Sequence, residues 1–80
     1  MPQPPLRPLT PDQEEQVQEH LRTAAAIFPE NVDLSRFRQM LSAGMYQFAW
    51  EELRELAEQR TTPFPFWVEM SKAGDLLGHR

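Results

Sequence analysis

The sequence predicts an all-α protein, a compact four-helix bundle behind a Pro-rich N-terminal tail. Three observations predict it. Apolar residues recur at spacings of three and four in four separate stretches, the pattern of one buried helix face. Helix-stopping residues (Pro29, Gly44, Pro63 and Pro65, Gly78) separate and end those stretches. Strand signals are missing: no sustained alternation of apolar and polar residues occurs, and no Asn-Gly or Asp-Gly turn. The four stretches share no repeated motif.

Residues 1–9 carry Pro2, Pro4, Pro5 and Pro8. Proline removes backbone donors and favours extended polyproline II geometry, so the segment reads as a flexible tail. Pro5 and Pro8 beside Arg7 also have the spacing of a PxxP ligand, a reading outweighed by the general disorder of chain ends. Leu6 and Leu9 are its candidate anchors. A single helical domain is expected over residues 10–80.

Thr10-Pro11-Asp12-Gln13 starts the first helix, about residues 11–28. Thr10 is placed to cap, Pro11 suits the first helical position, and Gln13 completes a capping box. Asp12, Glu14 and Glu15 complement the helix dipole. Val17, Leu21, Ala24, Ala25 and Phe28 form the apolar stripe, and Pro29 ends it. After a turn, Asp33 is the expected N-cap of a short second helix, about 34–43, with Leu34, Phe37, Met40 and Leu41 inward. Gly44 closes it in the left-handed conformation that glycine adopts cheaply.

The third helix, about 45–60, is the most two-sided. Tyr46, Ala49, Trp50, Leu53, Leu56 and Ala57 lie on one side, and Gln47, Glu51, Arg54, Glu55 and Glu58 on the other. Thr61-Thr62-Pro63 ends it. For the fourth helix, Thr62 capping with Pro63 first is one option. A start at Pro65 with Phe64 extended is preferred, because a residue before proline avoids the helical region; this gives about 65–77. Phe66, Trp67, Met70, Ala73, Gly74 and Leu77 face inward. Gly74 costs about 1 kcal/mol against Ala in a helix interior, which a close helix–helix approach would explain.

Size and charge bound the function. At 80 residues a domain buries roughly 60% of the surface its unfolded chain exposes. One core of this kind supplies about 3–5 kcal/mol unaided. There is no cysteine, so disulfides and thiolate metal sites are excluded. A net charge of −4 argues against an electrostatic nucleic-acid binder and for a basic partner. No apolar run approaches membrane-spanning length, and prolines interrupt any signal-peptide layout, so a cytoplasmic protein without membrane contact is expected.

No residue set spells out a reaction. His20 and His79 lack further ligands at helical spacing, so no metal is expected and both histidines read as solvated. Gly-x-Ser-x-Gly, P-loop and Gly-x-Gly-x-x-Gly motifs are absent, as is a Glu-x-x-His di-metal motif, so neither an enzyme nor a cofactor is indicated. Glu51, Glu52, Glu55 and Glu58 read first as a solvated helix face and second as a binding face for a basic partner. The aromatics are a heavy load for so small a core. Tyr46, Phe48, Phe64 and Trp67 are candidates for partial exposure, and exposed aromatics at a proline-stiffened corner suit interface anchors.

Gly44, Ala49, Glu51 and Leu53 carry a G-x-x-x-x-A-x-E-x-L spacing, followed by a proline-containing link and a last helix ending at Leu77-Gly78. Over roughly residues 41–78 this resembles the small, helical, acidic MafI-like immunity proteins of bacterial toxin systems. The aromatic Phe64-Pro65-Phe66 link and the Pro-rich start depart from that pattern. The resemblance implies a non-enzymatic inhibitor that binds and silences a cognate toxin. Tyr46, Glu51, Glu55, Glu58, Phe64 and Trp67 are then the candidate partner-binding residues, facing a basic toxin domain. Two alternatives stand beside it: a self-associating structural or adaptor module, with a homodimer through the third and fourth helices, and a phage-borne inhibitor of a host defence system.

Overall fold

Thr10 opens the first helix as the sequence predicts. In the computed structural model, which describes residues 9–78, its side chain accepts from the Gln13 amide, and the Gln13 side chain accepts from the Thr10 amide. This capping box starts α1 (Pro11–Ala25). Then follow α2 (Ser35–Ser42), α3 (Tyr46–Glu58) and α4 (Phe64–Leu77). The described residues contain no strand. The protein is a compact all-α four-helix bundle measuring 39 × 24 × 20 Å. The Pro-rich segment through Pro8, with its Leu6 anchor and PxxP spacing, lies outside the described residues, as does His79.

Three boundaries differ from the sequence reading. α1 stops at Ala25, short of Phe28. The amides of Ile27 and Phe28 bond to the carbonyls of Ala24 and Ala25, three residues back, so the chain tightens before Pro29. Leu34, not Asp33, occupies the N-cap of α2. Asp33 sits one residue earlier, and its Oδ1 accepts from the Ser35 amide at 2.9 Å. Side-chain and backbone hydrogen bonds from Ser35, with a smaller contribution from Arg38, hold its carboxyl below the usual range. α4 begins at Phe64, one residue before Pro65. Pro63 takes the N-cap position with an extended ψ of 148°, so Pro65 falls in the first turn, where its missing N–H leaves no bond unmade.

The α2–α3 junction is a Schellman motif. Gly44 has φ 76°. Its amide bonds to the Leu41 carbonyl and the next amide, Met45, to the Met40 carbonyl at 2.8 Å. Gly78 ends α4 in the left-handed conformation too, at φ 88°, with its amide on the Asp75 and Gly74 carbonyls. At the end of α3, Arg60 Nε donates to the Leu56 carbonyl and Thr62 Oγ1 to the Ala57 carbonyl, so side chains satisfy orphan acceptors of the last turn.

The core runs through α1, α3 and α4. It holds Val17, Leu21 and Ala24 from α1, Ala49, Leu53 and Ala57 from α3, and Phe66, Met70 and Ala73 from α4. The most extensive packing joins α1 to α4. α2 packs chiefly on α3 and contributes one buried side chain, Phe37; Leu34, Met40 and Leu41 are only half-buried. Phe28 and Val32 from the α1–α2 turn seal one end. Gly74 is buried in α4. Among the described residues no polar or charged residue is buried, and no helix is long and apolar enough to cross a membrane.

Candidate interaction surface

Trp50 fixes the side of α3 that meets α4, because its Nε1–H donates to the Met70 carbonyl at 2.8 Å. One and two turns further along α3 come Arg54 and Glu58. The Arg54 guanidinium lies 5.5 Å from the Trp50 ring centroid, and its Nε lies 3.6 Å from Glu58 Oε1. Glu51, Glu55 and Glu58 follow one another at spacings of four and three and share the outer face of α3, away from Ala49, Leu53 and Ala57. Glu55 and Glu58 are exposed and Glu51 half-buried. Arg54 offsets Glu58 at this surface, and the pair contributes little to stability.

The aromatic corner splits cleanly. Phe66 is fully buried, its ring 5.1 Å from Phe28 and 5.0 Å from Trp67 in an edge-on contact. Phe64 is 77% exposed and Trp67 36%. Helical geometry explains the split: Phe66 and Met70, four apart, face the core, whereas Phe64 is turned away by two residues. Pro63 and Pro65 flank Phe64 and are exposed too. The corner follows the glutamate end of α3 after a five-residue link, 59–63.

Tyr46 is not part of that corner. It lies at the opposite end of α3, about 18 Å from Glu58 along the axis. It is half-buried, and its hydroxyl accepts a 2.7 Å hydrogen bond from Gln18 Nε2 of α1. At its end of the bundle Met45 and Phe48 are exposed (43% and 54%). With Leu9, Tyr46 and Leu77 they line an apolar groove of about 260 Å³. The exposure of Phe48 was open to sequence reasoning; Met45 was not singled out there, and its position just after Gly44 was the available signal.

His20 departs from its solvated reading. Its Nδ1 lies 2.7 Å from Glu69 Oε2 on α4, with both side chains mostly covered. A carboxylate only accepts, so the bond's proton is on Nδ1. Nothing near His20 in the chain announces a partner 49 residues away. Among the described residues no three His, Asp or Glu side chains are placed to hold a metal ion. Neither a protein-family model, a curated protein sequence nor a solved structure matches the chain.

Proposed function

We propose that the chain is a non-enzymatic protein-binding inhibitor of the immunity type, acting in the bacterial cytoplasm to neutralise a cognate toxin. The observation that carries this reading is the exposure of Phe64 and Trp67 at the start of α4, a five-residue link beyond α3, whose outer face presents Glu51, Glu55 and Glu58. An aromatic that stays in water when the monomer is folded releases its burial free energy on binding. The carboxylates of α3 attract a basic domain from a distance and raise the association rate, while the aromatics set how long the complex lasts. Inhibition is by occlusion of the toxin's basic surface.

The test is growth rescue. On this reading a toxin reading frame lies beside the gene, and co-expression of the chain with that toxin restores growth. A Phe64→Ser/Trp67→Ser double variant that still folds loses the rescue, mainly through faster dissociation. Charge reversal at Glu51, Glu55 and Glu58 slows association and flattens its salt dependence. Full rescue by both variants, or no rescue by the native chain, overturns the proposal.

A second reading is favoured by Met45 and Phe48, which leave an apolar groove open at the other end of the bundle. Two copies meeting there form a symmetric, self-associating module. Sedimentation at micromolar concentration separates the readings, since a stable monomer removes this one.

A further inference from the structure

α2 is held to the bundle from one side only. It packs against α3 and makes little direct contact with α1. The space between α1 and α2 remains open as a groove whose two halves adjoin at Arg22 and Leu41. The half toward the C-terminus of α1, about 340 Å³, is lined by the apolar side chains of Ala25, Ala26, Leu34, Phe37 and Leu41. Arg22 stands on the α1 wall and Arg38 on the α2 wall, and no acidic residue lines this half. The other half, about 430 Å³, is polar and includes Glu14, Gln18 and the last residues of α2.

Two cations thus stand on facing walls of this half in an otherwise acidic chain. Among the described residues neither forms a salt bridge. Arg22 donates to the neutral Gln18 at 3.3 Å. Arg38 acts on Asp33 only through space. Both heads are therefore available to a group entering the groove. The apolar half is about two helical turns long, since eight-residue α2 spans about 12 Å.

We propose that the α1–α2 groove is a docking site for a helix of a partner protein whose apolar stripe is flanked by carboxylates. The stripe's residues at i, i+3 or i+4, and i+7 enter between Leu34, Phe37 and Ala26. Carboxylates on its two edges meet Arg22 and Arg38 in charge-assisted hydrogen bonds. This site prefers the charge opposite to that sought by the α3–α4 face. Its apolar half shares no residue with Phe64, Trp67 and the α3 glutamates, so either site stands if the other fails.

Two synthetic helical peptides of about 16 residues test it. They share one leucine stripe and differ only in its flanks, Glu in one and Lys in the other. Binding is read by fluorescence anisotropy and by amide chemical shifts of the isotope-labelled protein. The Glu-flanked peptide is expected to bind about tenfold tighter than the Lys-flanked one. Shifts are expected at Ala25, Ala26, Phe37 and Leu41. Arg38→Gln removes much of the preference, and Arg38→Glu with Arg22→Glu reverses it. Arg38 is exposed, so the single variant keeps its fold, which circular dichroism checks. Equal or tighter binding of the Lys-flanked peptide overturns the proposal. So do shifts centred on Phe64 and Trp67, no shift in the groove at millimolar peptide, or groove shifts that appear with protein concentration alone, which would assign the groove to a second copy.

Discussion

Replacing Phe66 and Phe64 separately by Ala tests the division of the aromatic corner between core and interface. Phe66 is 0% exposed. Truncating a buried Phe costs about 3–5 kcal/mol, the lost transfer free energy plus the cavity left behind. Phe64 is 77% exposed, so only about a quarter of its area is covered. Full burial of a Phe is worth about 1.5–3 kcal/mol, so Phe64→Ala forfeits about 0.3–0.7 kcal/mol. The better helix propensity of Ala offsets part of that. Length alone allows a total stability of about 4–12 kcal/mol, and a single small core holds it near the lower end. At about 4–8 °C per kcal/mol, Phe66→Ala lowers Tm by at least about 12 °C and leaves a marginal fold, whereas Phe64→Ala moves it by no more than about 6 °C. Thermal and urea unfolding followed by far-ultraviolet circular dichroism measure both. Comparable losses from the two variants would refute the orientation of α4, and with it the argument that Phe64 is held in water for a partner.

Other consequences follow from local geometry. Gly44→Ala is expected to cost about 1–2 kcal/mol in urea unfolding although the site has open space around the added carbon, because the penalty is conformational; Gly44→Asn should cost less. Asp33 has a lowered folded-state pKa, so it stabilises the fold above the unfolded carboxyl range and loses that contribution as pH falls through the folded value; Asp33→Ala should flatten the acid limb of stability against pH, and superimposable curves would contradict this. A double-mutant cycle on His20→Ala and Glu69→Ala should give a coupling of about 0.5–1.5 kcal/mol, with independence of the two changes counting against the pair.

Local chemistry was legible in the sequence. Thr10 with Gln13, Gly44 and Gly78 each marks a helix end through a motif spanning a few residues, and each sits where the motif requires. The apolar stripe of α1 is buried as read, from Val17 to Phe28. The misread starts of α2 and α4 share one feature. The N-cap positions fall on Leu34 and Pro63, neither of which makes a side-chain capping bond, so capping chemistry read from residue type places each start one residue off. Long-range polar partners were not legible. Gln18–Tyr46 and His20–Glu69 join residues 28 and 49 apart, and no periodicity encodes which exposed polar residue faces which helix. The candidate site was half legible for the same reason. Glu51, Glu55 and Glu58 follow from helical phase alone, but the separation of Tyr46 from Phe64 and Trp67 follows from helix length and direction.

The buried face of α3 is made of Ala49, Leu53 and Ala57, and alanines allow close approach without choosing a register. Polar cross-links supply that choice. Gln18–Tyr46 ties α1 to α3, His20–Glu69 ties α1 to α4, and Trp50–Met70 ties α3 to α4. These three bonds link each pair in the three-helix core, and none of the three involves α2. α2 rests on Phe37, half-buried neighbours and the Gly44 junction. Elements with few buried contacts open at lower free energy than the core. Amide hydrogen exchange should therefore show α2 opening before α1, α3 and α4, with the Glu-flanked peptide slowing its exchange. If α2 amides were protected as strongly as those around Leu21 and Leu53, α2 would belong to the cooperative core, and the groove beside it would be a rigid cleft.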